Sequence, residues 1–443
     1  MSTVLLLNQT WFADELRQLG MDVVTAGWVT QGYDIWYPGP GTPVAEVIDH
    51  FKKKYGNGAP PDFLVYYDDS APLSLWGIEH LQIPTIFYSV DAHHHSAWHS
   101  PMGACFDRVL VAQPDYLPLF KEFNPSSEWF PLWAPIYAEP NPVKSIDICF
   151  RGTLKPSLHP KRAAFFDQLA KEFSVDAGVG SYVEDYSRAK IVVNQVVFGD
   201  LNFRNFEAMM CGAMLITPQI NNGLSETFTQ GVHIATYVDS DVEDAKRVIR
   251  YYLNNEEERA RIAACGRDLV LERHTSMVRA QRLIDIFTEI QVTDRPLGNF
   301  GAATAYAIAA HKCFPVDAIS SGRYLRYALH SQKLSCAGNE PIGSRSLAVM
   351  IFLKYLLDRE GSFELALEVF SEFYETAPSK DHILLCLIYT LMHLGRLEEA
   401  RGFAELIVNH NTGHTLALED VRELLGQMYR LLGLHKSESV ATA

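Results

Sequence analysis

Short apolar runs alternate with amphipathic stretches twice over in this chain, and few folds absorb such a pattern. In the first block, residues 4–7, 22–25, 63–67, 85–88 and 108–111 read as strands. Residues 11–19, 44–54 and 75–81 read as helices between them. The runs are apolar throughout rather than alternating, which suits strands buried on both faces of a parallel sheet covered by helices. Pro131, Pro135, Pro140 and Pro142, with Asn141 between the last two, interrupt the pattern and read as a linker. It then restarts, with strands at 146–150, 189–193 and 213–217 and helices at 159–173, 203–210, 242–253 and 256–273. Cys211-Gly212 closes the helix at 203–210 in the manner of a glycine C-cap. The chain has 443 residues, too many for a single core. Two α/β lobes are expected, at residues 1–138 and 139–295.

From about residue 302 strand signals stop. Tyr355 and Tyr389, Gly361 and Gly395, and Ala366 and Ala400 repeat at 34 residues, with Pro378 and Thr412 at the unit ends. This is the tetratricopeptide period, so residues 300–443 are expected to form an all-α repeat domain; a plain helical bundle is the alternative. Helices near 302–311, 324–330 and 421–432 would be degenerate or capping units. Phe352, Tyr355, Leu365, Phe370, Leu387 and Leu406 look like stacking positions, packing helix on helix and against the second lobe.

With 48% hydrophobic and 21% charged residues the chain belongs to the globular class. A net charge of −15 argues against nucleic-acid binding and against loose attachment to an anionic membrane. No signal peptide or apolar run long enough to span a bilayer is visible. The seven cysteines are scattered, with no Cys-x-x-Cys pair, which fits reduced, buried thiols and a cytoplasmic location. Oligomeric state has no signature here.

Chemistry concentrates between Asn194 and Glu226. Arg204 and Glu207 stand three apart, on one face of a helix in its first turns. Free N–H groups and the helix dipole favour an anion there, and a guanidinium adds a fork of donors for phosphate. Glu207, one turn deeper, suits a ribose diol. Gly223-Leu224-Ser225 can offer backbone N–H groups, and Glu226 is either a site residue or a first-turn helix acid. Arg151, Gly152 and Lys155 follow the first strand of the second block and are further phosphate candidates. The plainer alternative makes Arg204 and Glu207 an exposed ion pair and the 151–155 loop a solvated one.

The run from Asn202 through Phe203, Arg204, Glu207, Cys211 and Gly212 resembles the second lobe of GT-B glycosyltransferases, in particular the CgeB-like group. So do Leu215-Ile216-Thr217, Leu224, Glu226, Phe228, Gly231, Tyr237, Arg273-His274-Thr275 and Arg279 downstream, and Phe150-Arg151-Gly152-Thr153 with Arg162 upstream. The similarity spans roughly residues 60–285 and includes Asp91, Val109-Leu110-Val111 and Asp115-Tyr116 in the first lobe. It implies a nucleoside-diphosphate sugar as co-substrate on the second lobe, an acceptor on the first, and no metal or other cofactor. It implies donor-binding roles for Arg151, Gly152, Lys155, Asn194, Arg204, Glu207, Gly223, Leu224, Ser225 and Glu226. One element departs from the pattern. Many retaining members pair two glutamates eight positions apart, and here Gly199 stands eight before Glu207, with Asp200 the nearest acid.

Asp91-Ala92-His93-His94-His95, with Trp98-His99, follows a first-lobe strand where α/β lobes place ligands. Adjacent histidines share a metal poorly. Asp91 and His93 are therefore read as candidate catalytic groups able to take an acceptor proton, with Asp68 and Asp69 as competitors and packing histidines as the alternative. A repeat domain suggests, by analogy, a protein acceptor of the cell surface or flagellum. The competing classes are a non-catalytic transferase-like scaffold and another GT-B sugar-nucleotide enzyme such as an epimerase.

Overall fold

The computed structural model describes residues 2–29, 32–290 and 292, two helices between 381 and 411, and a few positions between, including Ala302, Ala305, Tyr306, Ala309 and Tyr324. The first lobe carries β1 (Thr3–Leu7), α1 (Ala13–Gln18), β2 (Asp22–Gly27), β3 (Ile35–Trp36), β4 (Thr42–Pro43), α2 (Val44–Lys54), β5 (Phe63–Tyr67), β6 (Leu75–Trp76), β7 (Thr85–Ser89), α3 (Ala92–Met102), β8 (Arg108–Val111), α4 (Leu117–Phe123) and β9 (Ser127–Trp129). Seven of these strands form one sheet, ordered β3-β2-β1-β5-β7-β8-β9 and parallel throughout.

The second lobe carries β10 (Ile146–Arg151), α5 (Pro160–Leu169), β11 (Val175–Gly178), α6 (Tyr182–Arg188), β12 (Ala189–Val193), α7 (Phe203–Met210), β13 (Met214–Pro218), α8 (Leu224–Thr227), β14 (Ala235–Tyr237), α9 (Val242–Asn254), α10 (Glu256–Arg273) and α11 (Ser276–Glu289). Its parallel sheet is ordered β11-β10-β12-β13-β14. The arrangement is the two-lobed, GT-B-like α/β architecture expected from the sequence.

Alternation along the strands divides the apolar side chains between the sheet faces. In the first lobe Leu5, Leu7, Leu64, Tyr66 and Phe87 face one core, and Val4, Leu6, Val65, Tyr67 and Tyr88 the other. The latter core is shared by both lobes, because Cys149, Val192, Leu215, Phe206 and Met209 join it. The proline-rich segment is therefore not a solvated tether: Phe130, Leu132, Trp133, Ala134 and Ala138 are buried in that shared core. Trp133 lies 4.4 Å from the Phe12 ring and 5.1 Å from that of Phe203, joining the lobes.

Helix α11, which the sequence assigns to the second lobe, returns to the first. Phe287 stacks on Phe63 at 4.4 Å, and Arg279 donates to the Pro131 and Leu132 carbonyls at 2.7 and 3.0 Å. Residues 75–81 are not the expected helix. Leu75 and Trp76 pair with Thr42 and Pro43, Gly77 turns the chain at φ 87°, and only the 3₁₀ turn Ile78–His80 follows.

At the C-terminal end, α12 (Asp381–His393) and α13 (Leu397–Asn411) form a helix pair around Gly395, which turns at φ 73°. Leu387, Leu391, Ala400 and Ala404 are buried. Leu406 is not a stacking position: two residues past Ala404 it falls on the opposite helix face and is 39% exposed. Phe352, Tyr355, Gly361, Leu365, Ala366, Phe370, Pro378, Thr412 and the helices proposed at 324–330 and 421–432 lie outside the described residues, Tyr324 excepted. Where the described positions can be followed, they dock on the first lobe rather than on the second. Tyr306 donates to the Glu79 carboxylate at 2.6 Å and accepts from the Gly77 N–H at 2.9 Å, and Tyr324 donates to the Leu73 carbonyl at 2.6 Å.

Candidate functional site

Both sheets point the C-terminal ends of their strands at the interlobe cleft, where open α/β sheets place ligands. On the second lobe the centre of this edge is Arg204, in the first turn of α7. Its Nη1 donates to Asn194 Oδ1 at 2.7 Å, its Nη2 to the Arg151 carbonyl at 2.7 Å, and its Nε lies 3.2 Å from the Tyr186 hydroxyl. The guanidinium lies over the Phe150 ring, 4.3 Å from its centroid. Asn194 is fully buried at the end of β12, and its amide nitrogen reaches Asn202, Asn205 and Thr217. It thus holds the α7 N-terminus and Arg204 as one unit. Gly152 leaves room for that guanidinium: a Cβ there would lie 2.9 Å from Arg204 Nη2 and 2.9 Å from the Phe150 ring.

Arg162, on α5, completes the group. It donates to the Gln195 side chain at 3.0 Å and the Gln195 carbonyl at 3.1 Å, and lies 5.5 Å from the Phe150 centroid. Burial, and after it the Arg204 charge, lowers its pKa, so the two cations feel each other. Every side-chain hydrogen bond described for Arg162 and Arg204 runs to a neutral amide, carbonyl or hydroxyl, and neither forms an ion pair among the described residues. Two half-buried guanidinium groups with unused N–H donors form a ready receptor for a dianionic group. Sequence reasoning had Arg162 only as part of a resemblance. Its signal as a site residue, a basic side chain one turn into the helix after β10, gains force only once Arg162 and Arg204 are seen at the same Phe150 ring.

Glu207 lies one turn below Arg204, with Tyr182, Tyr186 and Cys211 among its titratable neighbours. Burial lifts its carboxyl to about 7, against the pull of Arg204. Asp200, buried just before α7, faces Arg162 on its own lobe and His93 across the cleft.

On the first lobe the candidate acids separate by role. Asp68 accepts from the Ser70, Val90 and Asp91 N–H groups at 2.7, 3.1 and 2.8 Å, with the buried His99 at 3.6 Å; it ties two loops together. Asp69 accepts from the Trp28 indole at 3.0 Å, and burial raises it to about 6. Asp91 stands at the N-cap of α3, half-buried, with its pKa raised by burial and by Asp68. His93 is held towards the neutral form by burial, against the charge of Asp200, and its Nδ1 has no hydrogen-bond partner among the described residues. His94 meets the Phe198 ring of the second lobe edge-on at 4.4 Å. Among the described residues no group of three His, Cys, Asp or Glu side chains is placed to hold a metal ion.

Other expected donor residues sit elsewhere. Arg151 does not offer its guanidinium: Asp185 holds it at 2.5 Å and Asp176 at 2.8 Å, and these bonds outweigh burial and raise its pKa. Only its carbonyl serves the site, under Arg204. Lys155 is exposed on the following loop. Gly223, at φ 82°, is buried against the first lobe, where an added Cβ would lie 2.7 Å from Trp129 and 3.0 Å from Pro114. Of its neighbours, the Leu224 side chain is core, and the Ser225 hydroxyl bonds the exposed Glu226 at 2.9 Å. The sequence could not show that this turn is occupied by the other lobe.

That contact is extensive. Gln113 of the first lobe donates to the Leu201 carbonyl at 3.3 Å and accepts from its N–H at 3.0 Å. Asn222 donates to Gln113 Oε1 at 2.6 Å, and Asn222 and Asp115 exchange a reciprocal pair at 3.1 and 3.2 Å. Beside these bonds opens a cleft of about 420 Å³.

Residues 166–285 match the family model described as glycosyl transferase-like. No curated protein matches the chain. Similar solved structures include HepE of Anabaena in complex with UDP and glucose, at 10% identity over 66% of this chain and 100% of that one, with a TM-score of 0.48. Sucrose-phosphate synthase of Thermosynechococcus elongatus is 12% identical over 65% of this chain and 99% of its own, at 0.48. A glycosyltransferase of Rickettsia africae is 11% identical over 65% and 98%, at 0.46.

Proposed function

We propose that this chain is a glycosyltransferase of the CgeB-like group. It moves a hexosyl or N-acetylhexosaminyl residue from a nucleoside-diphosphate sugar to an acceptor hydroxyl. The observation that carries this reading is the pair Arg162 and Arg204, two partly buried guanidinium groups that form no ion pair among the described residues, at the strand ends of a lobe that matches a glycosyl transferase-like family. The diphosphate sits on these two groups and on the α7 N-terminus, and Glu207 accepts from the ribose. Catalysis then rests on stabilising the charge that develops on the departing diphosphate. In an inverting displacement His93, kept neutral by burial, takes the acceptor proton, with Asp91 and Asp200 beside it.

The two arginines neutralise the diphosphate charge that a metal would otherwise neutralise, so no metal is required. The acceptor is a protein of the cell surface or flagellum, engaged through the C-terminal helical region, and transfer takes place in the cytoplasm. The test is a donor-hydrolysis and transfer assay with a panel of nucleoside-diphosphate sugars, with and without EDTA. Turnover of one donor that persists in EDTA supports the reading. Activity lost to EDTA and restored by magnesium or zinc contradicts the metal-free mechanism. Binding without turnover of any donor or acceptor favours a scaffold.

A further inference from the structure

The cleft of about 420 Å³ is lined from both lobes, and none of its walls belongs to the arginine pair. Asp115 and Tyr116 come from the turn after β8, Phe198 from the segment between β12 and α7, and Gln219, Asn221 and Asn222 from the turn after β13. Its size falls within the usual range for small-molecule sites. We propose that this cleft is a carbohydrate subsite that takes a neutral sugar of the acceptor. The acceptor hydroxyl therefore belongs to a saccharide already attached to its carrier and not to a bare side chain. This inference rests on the glycosyltransferase reading.

The lining argues for that class. No lysine or arginine contributes, and Asp115 would repel a phosphate or carboxylate. The polar groups are those that read hydroxyls. Asp115 uses Oδ2 on the Asn222 N–H, and Oδ1 makes no hydrogen bond among the described residues. Gln219 donates to Thr236 at 3.4 Å, and its carbonyl oxygen is unengaged among them. The Asn221 amide and the Tyr116 hydroxyl make no hydrogen bond there either. A carboxylate and two amides together accept from and donate to neighbouring hydroxyls, which an apolar ligand could not match. Two rings, Tyr116 and the 54% exposed Phe198, supply flat apolar surfaces for the C–H faces of a pyranose. The walls are also preorganised. Asn222, only 3% exposed, bonds Gln113, Asp115 and the Gly199 carbonyl, so the cleft keeps its shape without a ligand. Because the first lobe supplies part of the wall, the site suits a second substrate better than a nucleotide held by the second lobe alone.

Saturation-transfer NMR on the full chain tests this, with glucose, galactose, N-acetylglucosamine and their methyl glycosides as probes. Uridine and adenosine serve as nucleoside controls. Signals for at least one sugar are expected, reduced at least tenfold in Phe198→Ala and in Asn221→Ala, both exposed positions whose loss spares the core. Calorimetry on the same variants should find nucleoside-diphosphate binding unchanged. No sugar signal, a signal that survives both substitutions, or a nucleoside signal lost in their place overturns the proposal. Sugar binding that behaves as expected while no nucleoside diphosphate binds sinks the donor reading and leaves the saccharide cleft standing.

Discussion

At the scale of single residues, the fate of each charge decides what it can do. Arg151 and Arg204 look alike in the sequence, yet Asp176 and Asp185 neutralise the first and only neutral groups hold the second. Those two aspartates arrive from other segments, so no local reading of residues 151–155 could foresee the difference. Arg204 and Glu207 read as neighbours because they share the first turns of α7, whereas Asn194 reaches that helix from the end of β12. Arg162→Ala should weaken nucleoside-diphosphate binding by about tenfold or more, since a hydrogen bond to a charged group is worth about 1.5–3 kcal/mol. Calorimetry gives the affinity, and circular dichroism checks that the helices remain.

Glu207 makes a pH prediction with a definite sign. Its folded pKa is raised from 4.5 to about 7, so the native chain binds more protons than the unfolded one in between. Stability from this group is greatest below pH 4.5, falls as pH rises towards 7, and is flat above. Glu207→Gln should flatten that part of a melting-temperature profile and raise the melting temperature at pH 8. An unchanged profile would count against the assigned burial. If the carboxylate accepts from ribose, nucleotide binding near pH 6.5 should release protons, seen by calorimetry in buffers of different ionisation enthalpy.

Elements were legible where their apolar signal was long. The inner strands β1, β5, β7, β8, β10, β12 and β13 read directly from runs buried on both faces. The two-residue strands β3, β4 and β6 did not, because so short a pair is fixed by its partner across the sheet. Residues 75–81 show the failure clearly: their apolar spacing fits a helix, but pairing with β4 and the left-handed Gly77 override it. Glycines that fit elements together offer a sharp test. Gly152→Ala should displace Arg204 and reduce nucleoside-diphosphate affinity nearly as much as Arg204→Ala, with little loss of helix content. Gly223→Ala should destabilise the chain, because the left-handed backbone alone costs about 1–2 kcal/mol and the Trp129 contact adds to it. Urea denaturation followed by Trp fluorescence checks this, and a midpoint equal to that of the parent chain would contradict the interlobe contact.

For the whole molecule, the sequence revealed two α/β lobes but not how they are joined. The shared core, the return of α11 and the docking of Tyr306 on Glu79 are made by residues far apart in the chain, and no periodic pattern carries such information. This docking makes a prediction for a shortened chain. A cut near residue 295 removes the hydroxyl partner of a buried carboxylate in the first lobe, so it should lower stability before it affects any acceptor. Tyr306→Phe isolates the effect: leaving the Glu79 carboxylate without its donor should cost about 1–3 kcal/mol, read as a shifted urea midpoint at unchanged slope.

The central claim is that the second lobe binds the diphosphate of a sugar nucleotide through Arg162 and Arg204. Its most direct measurement is calorimetric titration of the full chain and of the Arg204→Ala variant with a panel of nucleoside diphosphates, EDTA present. The account predicts that at least one binds the parent chain, and that the variant binds it at least tenfold more weakly while remaining folded. Equal affinity in both proteins, or no binding of any nucleoside diphosphate to the parent chain, would contradict it.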